Sequence, residues 1–315
     1  MEKLIGNTPL VKINYQYKNK ASFIYTKLEV YNYTGSIKDR IINYIIKKNL
    51  DDGKLKKGMI LVEATSGNTG ISLAALGAYY GFDVHIYMPD FVSEERRKII
   101  ELYGAKVTLI SKEEGGFKKC IELVQKEVEK GAFSTKQFSN VDNIMAHYLG
   151  TGKEIVEKIN VDAFVSGIGT GGTLMGIGKK IREENPNSLI YGLEPENMTL
   201  IKGNKVGSHK IEGIGDEFIP DIVDTNFLDD IILINDNDAI NMSKKLAKEL
   251  GLGVGISSGA NFLAAVQIQE QLNKNVVTVF PDDLKKYLST DLSKKEITDN
   301  LYISNSIKLE SIEEI

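Results

Sequence analysis

Lys38 stands in Thr34-Gly35-Ser36-Ile37-Lys38-Asp39-Arg40, at an expected helix start beside an Asp-Arg pair. A helix N-terminus and a nearby arginine both disfavour an ammonium charge, which makes the amine more available as a nucleophile. Most lysines, Lys47 and Lys48 among them, read as solvated surface charge, but lysine is also the residue of Schiff-base chemistry. Two glycine-rich turns offer anion sites. Thr65-Ser66-Gly67-Asn68-Thr69-Gly70 stacks hydroxyls, a carboxamide and glycines after a hydrophobic strand. Such a turn suits a carboxylate or phosphate, which the helix dipole also favours; its run of small polar residues exceeds what an ordinary N-cap requires. Ser166-Gly167-Ile168-Gly169-Thr170-Gly171-Gly172-Thr173 satisfies G-x-G-x-x-G, and Glu194 follows at the end of the next strand. That pattern fits a dinucleotide site or any other phosphate cradle. A third turn, Val254-Gly255-Ile256-Ser257-Ser258-Gly259, reads alone as a cap before a helix.

The elements that must hold these turns alternate in type. Strands are expected at 22–28, 59–63, 83–88, 106–110, 161–165, 188–193 and 275–280. Helices are expected at 37–48, 70–80, 93–102, 117–130, 173–184, 238–249 and 259–272. Strands alternating with helices of about 10–15 residues indicate βαβ units and parallel sheets. The expected fold is α/β, in two lobes. Residues 201–227 read as ordered loop, and the polar tail after Thr290 reads as peripheral.

Rare residues narrow the classes further. One cysteine, Cys120, excludes an internal disulfide and a thiolate zinc cluster, and reads as a small buried hydrophobe. His85, His147 and His209 lie apart, so no metal site is expected. With 39 basic and 43 acidic residues the net charge is −4, which gives no surplus to neutralise nucleic acid. No signal peptide and no membrane span are expected, and a cytoplasmic location follows. The 29 glycines against 6 prolines gather in the turns above.

Taken in order, Gly35-Ser36-Ile37-Lys38-Asp39-Arg40, Thr65 to Gly70, Gly169-Thr170-Gly171-Gly172-Thr173 and Gly255-Ile256-Ser257-Ser258-Gly259-Ala260 resemble the cysteine synthase (O-acetylserine sulfhydrylase) and cystathionine β-synthase family. Ile5-Gly6-Asn7-Thr8-Pro9-Leu10, Gln137-Phe138 and His209 to Gly215 match as well, and the similarity runs from about Leu4 to Thr290. The resemblance implies a fold type II pyridoxal 5′-phosphate enzyme, with the cofactor between two α/β lobes that each carry a mostly parallel sheet. A smaller mobile lobe would comprise residues 1–10 and 33–143, and a larger one 11–32 and 144–315. Lys38 would hold the cofactor as an aldimine, and Asn68 would bond the ring's 3′ oxygen. Gly169, Thr170, Gly171, Gly172 and Thr173 would cradle the phosphate, displacing the dinucleotide reading, and Ser257 would face the pyridine nitrogen. Thr65, Ser66, Asn68, Thr69 and Gln137 would grip the amino-acid carboxylate. Lys38, once freed, would remove the Cα proton; loss of the β-substituent would give an α-aminoacrylate, to which a nucleophile adds. The family is commonly homodimeric. His147 is read as structural.

Two positions depart from the family pattern. Tyr33-Thr34 replaces a proline and a small residue, a change of loop packing. Asp216 and Glu217 stand where small uncharged residues are usual, in a loop that borders the β-carbon in the family. Glu217 is expected in solvent, while for Asp216 cleft access and solvent stay open. Two like charges about 4 Å apart repel by roughly 4 kcal/mol at an effective dielectric near 20, so Asp216 in the cleft would oppose hydrosulfide. Water instead can be oriented and deprotonated by a carboxylate. The expected reaction therefore releases hydrogen sulfide from L-cysteine and adds water to give L-serine. The alternatives are cysteine synthesis from O-acetyl-L-serine and sulfide, a dehydratase leak to pyruvate and ammonia, a nicotinamide oxidoreductase, and a non-catalytic binding protein on this fold. His209, on the approach to this loop, is a weaker supporting candidate.

Overall fold

Leu10–Tyr17 (β1) and Lys20–Leu28 (β2) alternate apolar and polar residues and pair antiparallel. Lys18 and Asn19 between them both take positive φ (49° and 62°), which suits the twist of a two-residue hairpin. This computed structural model describes Met1 and residues 3–315. After a 3-10 turn at Glu29–Tyr31 the chain enters Lys38–Asp51 (α1). It then alternates through Leu61–Ala64 (β3), Asn68–Tyr80 (α2), Val84–Pro89 (β4), Glu94–Leu102 (α3), Lys106–Ile110 (β5), Gly116–Glu129 (α4) and Phe133–Ser134 (β6). These strands form a parallel four-stranded sheet in the order β5-β4-β3-β6.

Val141–Ala146 (α5) runs into a π-helical turn, His147–Gly152, and then Lys153–Val156 (α6). The alternation resumes with Ala163–Gly167 (β7), Gly172–Glu184 (α7), Leu189–Pro195 (β8), Asp230–Ile234 (β9), Asp236–Leu250 (α8), Ile256–Leu272 (α9) and Val276–Phe280 (β10), and closes with Ile307–Glu314 (β11). The second sheet has seven strands in the order β11-β1-β2-β10-β7-β8-β9, and is antiparallel only where β1 meets its neighbours. The fold is thus α/β with two mostly parallel sheets.

Helix α9 is buried around most of its circumference, including Phe262, Leu263 and Val266, because it lies between α8 and the sheet. An all-round apolar helix has to be covered, and each large side chain buried there contributes about 1.5–3 kcal/mol. Helix α2 is likewise buried without a break from Thr69 to Gly77.

Three expectations need correction. The tail is not peripheral: β11 forms the sheet edge against β1 and buries Ile307 and Leu309 in the core. Helix α9 begins at Ile256 rather than Gly259, which places Ser257 in its first turn. Helix α8 begins at Asp236, two residues early, because Asn235 caps the amides of Asn237 and Asp238. Strands β1, β6, β9 and β11 lie outside the expected set.

Candidate active site

Parallel strands deliver loops and helix N-termini to one end of a sheet, where ligands bind. The N-termini of α1, α2, α7 and α9 are set around a single cleft between the sheets. Lys38, Thr65, Ser66, Asn68, Thr69, Gln137, Gly169, Thr170, Gly171, Thr173, Asp216 and Ser257 line it. Gly172 does not, because it packs on Asn143, whose Oδ1 an added Cβ would approach to 1.9 Å.

Lys38 is the first residue of α1, and its Nζ makes no hydrogen bond or ion pair among the described residues. Burial lowers the ammonium from its ordinary value, while the carboxylates of Asp282 and Asp216 oppose that shift. Arg40, expected to disfavour this charge, is not a cause of it. Its guanidinium turns away to Glu29 (Nε to Oε2, 2.5 Å) and Glu154 (Nη1 to Oε1, 2.7 Å). Against burial, which pushes it up, Arg40 and Lys27 hold the Glu154 carboxyl down to about 2. Asp39 accepts bonds from the Thr34 amide (2.7 Å), the Thr34 hydroxyl (2.6 Å) and Ser72 (2.6 Å), which gives Thr34 its local role.

The Thr65–Gly70 turn is braced from beneath. Thr69 Oγ1 donates to Gln137 Oε1 (2.7 Å), and Gln137 Nε2 donates to the Ala64 carbonyl (3.2 Å). Buried Glu63 accepts from the Thr135 hydroxyl and from the Thr135 and Ala64 amides (both 3.2 Å). Burial pushes its carboxyl up to about 7 despite these bonds. Asn68 Nδ2 donates to Asp282 Oδ2 (2.7 Å), and Asn68 Oδ1 is buried with no partner.

In the 166–173 turn, Gly171 has φ +84°, and an added Cβ would lie 2.2 Å from Val223. The amides of Gly169, Thr170 and Gly171 bond to no protein acceptor, so they are available to an anion at the α7 N-terminus. Thr170 Oγ1 accepts from Asn143 (2.9 Å), and Thr173 Oγ1 meets His147 Nε2 (3.2 Å). Burial, then the Lys38 and Arg40 charges, push the His147 pKa well down, which keeps that ring neutral. Glu194 accepts from the amides of Ile201 (2.9 Å) and Lys202 (3.1 Å), so its carboxylate anchors a loop.

Asp216 lies in the cleft with Lys38, and Glu217 is exposed. Burial raises the Asp216 carboxyl from its ordinary value, and the His209 and Lys38 charges oppose that rise. His209 Nε2 meets the Gly215 carbonyl at 2.9 Å, beside Asp216. Cys120 is buried, with its thiol pushed up to about 11 by burial. Among the described residues, no group of three or more His, Cys, Asp or Glu side chains could hold a metal ion, and no helix is long and apolar enough to cross a membrane.

Sequence reasoning missed Arg96, Glu212 and Asp282. Arg96 lines the cleft, stacks on Tyr287 (4.8 Å from ring centroid to Cζ), pairs with Glu212 and donates to the Ser66 carbonyl (3.2 Å). In Glu94-Glu95-Arg96-Arg97-Lys98 it reads as surface charge, and only the fold reveals its burial. Asp282 had a signal: it stands two residues past Phe280, the end of β10, where cleft residues are expected.

A free amine, three unbonded backbone amides beside a threonine hydroxyl, and a serine hydroxyl match an aldehyde, a phosphate and a pyridine nitrogen. The residues present therefore fit pyridoxal phosphate. The comparisons agree. Residues 1–282 match the pyridoxal-phosphate-dependent enzyme family. A cysteine synthase of Staphylococcus aureus is 42% identical over 298 residues, covering 92% of this chain and 95% of its own. A hydrogen sulfide-producing enzyme of Fusobacterium nucleatum superposes with a TM-score of 0.95 at 48% identity, over 100% of this chain and 98% of that one. A lysine-dimethylated aspartate-to-asparagine variant of a hydrogen sulfide-producing enzyme, solved with an alpha-aminoacrylate intermediate, gives 0.96 at 49% identity over the same shares. The chain belongs to the family of pyridoxal-phosphate-dependent enzymes. It is an enzyme of the cysteine synthase group that uses pyridoxal phosphate and acts at the β-carbon of an amino acid.

Proposed function

We propose that this enzyme consumes L-cysteine, releases hydrogen sulfide and adds water at the β-carbon to give L-serine. The observation that carries this reading is the Asp216 carboxyl in the same cleft as the Lys38 amine. Pyridoxal phosphate, when bound, supplies the electron sink that makes Cα acidic and the β-substituent a leaving group. Lys38 would hold it, the amides of residues 169–171 with Thr170 and Thr173 would take its phosphate, and Asn68 and Ser257 would meet the ring. Thr65, Ser66, Asn68, Thr69 and Gln137 grip the substrate carboxylate at the α2 N-terminus. Lys38, its charge disfavoured by burial, takes the Cα proton and later returns it. Asp216 takes a proton from water as the oxygen bonds to Cβ, and its negative charge disfavours return of hydrosulfide. One water is consumed and one hydrogen sulfide leaves for each serine formed.

The hydrogen sulfide-producing relative solved as an aspartate-to-asparagine variant with an alpha-aminoacrylate intermediate supports this reading. The curated relatives, named cysteine synthases, favour the second reading, in which O-acetyl-L-serine and sulfide yield L-cysteine. Incubation with each substrate separates the two. Asp216→Asn is expected to release sulfide from L-cysteine while losing serine formation by about a hundredfold. Serine formation at the parental rate would remove Asp216 from the base role. The four-stranded sheet, within residues 1–10 and 33–143, is proposed as the mobile lobe against residues 11–32 and 144–315. The protein is proposed to work as a cytoplasmic homodimer, checked by light scattering against the 34.9 kDa chain and by cell fractionation.

A further inference from the structure

Asp216 sits on a loop that glycine makes pliable: Gly213 and Gly215 take φ of +92° and +69°. The carboxylate has no hydrogen-bond donor of its own among the described residues, so something else must aim it. The loop is tied on both sides of Asp216, and each tie leads to a segment proposed to grip the substrate carboxylate. On the N-terminal side, Glu212 pairs with Arg96, and the same Arg96 nitrogen donates to the Ser66 carbonyl at 3.2 Å. On the C-terminal side, the Phe218 ring stacks edge-on against Phe138, with centroids 5.0 Å apart, and Phe138 directly follows Gln137. A salt bridge with a buried partner and an aromatic edge contact both depend on geometry, so each fixes the distance between the segments it joins.

We infer that Glu212 and Phe218 are positioning residues that hold Asp216 over the β-carbon by tying its loop to the carboxylate-binding segments at Ser66 and Gln137. Substrate seated at one end of the cleft thereby sets the carboxylate at the other. This inference rests on the proposed role of Asp216. The loss of either tie leaves sulfide release in place and lets the loop swing at its glycines. Water addition then fails, and the substrate's carbon skeleton escapes as pyruvate and ammonia.

The test uses the holoenzyme with L-cysteine and the variants Glu212→Gln, Phe218→Ala and Phe218→Leu, with sulfide, serine and pyruvate quantified together. For Glu212→Gln and Phe218→Ala, serine formed per sulfide released is expected to fall about tenfold, with pyruvate rising to match and KM changing less than about threefold. Phe218→Leu, which keeps the apolar bulk, is expected to recover part of the ratio. A second readout needs no turnover: amide hydrogen exchange across residues 213–217 is expected to quicken about tenfold in the two variants. An unchanged serine ratio, or an equal loss of sulfide and serine, overturns the inference. Asp216→Asn run alongside separates the two failures. If it loses serine while the tie variants keep it, only the ties are wrong; if it keeps serine, the reading beneath them is wrong.

Discussion

Glu63 shows how one side chain under the cleft links protonation to stability. Its carboxyl is pushed up to about 7 in the folded protein from an ordinary 4.5, because burial outweighs the bonds from Thr135, Ala64 and Ser134. Between those two values the folded protein holds a proton that the unfolded chain has released. Stability must then fall as pH rises from about 4.5 to 7, and flatten above that window. The full shift corresponds to about 3 kcal/mol at most. Glu63→Gln keeps an acceptor for the Thr135 hydroxyl and cannot ionise. Urea unfolding at pH 5 and pH 8 is expected to show a loss in the parent that the variant lacks. Equal slopes in the two proteins would assign the effect to other groups. Asp216 differs in kind: burial raises its carboxyl too, yet it makes no hydrogen bond among the described residues, whereas Glu63 spends its oxygens on the backbone beneath Thr65 and Gln137.

At the scale of elements, β11 carries a consequence of its own. Ile307 and Leu309 are buried against the core while Lys308 and Glu310 face out, so this last strand closes the edge that β1 would otherwise expose. Ile307→Ala is expected to cost about 2–4 kcal/mol in chemical denaturation. The serine-to-sulfide ratio should not change, since the strand lies far from the cleft in sheet order. A change in that ratio with unaltered stability would contradict this. The alternation in Ile307-Lys308-Leu309-Glu310 was legible as a strand, and a polar average hid it. The glycine turns after β3 and β7 were legible because a strand followed by glycines and then a helix fixes a place in an α/β fold. Lys38 was legible as a lysine at a helix start behind Gly35-Ser36. Arg96 with Glu212 was not, because the pair joins residues 116 positions apart, and only the packing of two sheets makes them neighbours. Asp282 to Asn68 spans 214 positions and is hidden for the same reason.

For the whole molecule, the cleft is a place where folding leaves polar groups unsatisfied. Asn68 Oδ1 is buried without a partner, and the amides of residues 169–171 bond to no protein acceptor. Buried orphan groups oppose the folded state, so a ligand that satisfies them must stabilise it. Pyridoxal phosphate at about a hundred times its dissociation constant would contribute about 2.7 kcal/mol. For a chain of this size that is about 5 °C in Tm, at roughly 2 °C per kcal/mol. Stripping the cofactor with hydroxylamine is expected to lower Tm by that order, and adding it back should restore the loss. Lys38→Ala removes the proposed covalent anchor and keeps the proposed phosphate cradle, so it is expected to retain a smaller rise when pyridoxal phosphate is added. Inorganic phosphate should reproduce part of that smaller rise through the cradle alone. A Tm indifferent to cofactor removal would mean that water satisfies the cleft as well as the ligand does.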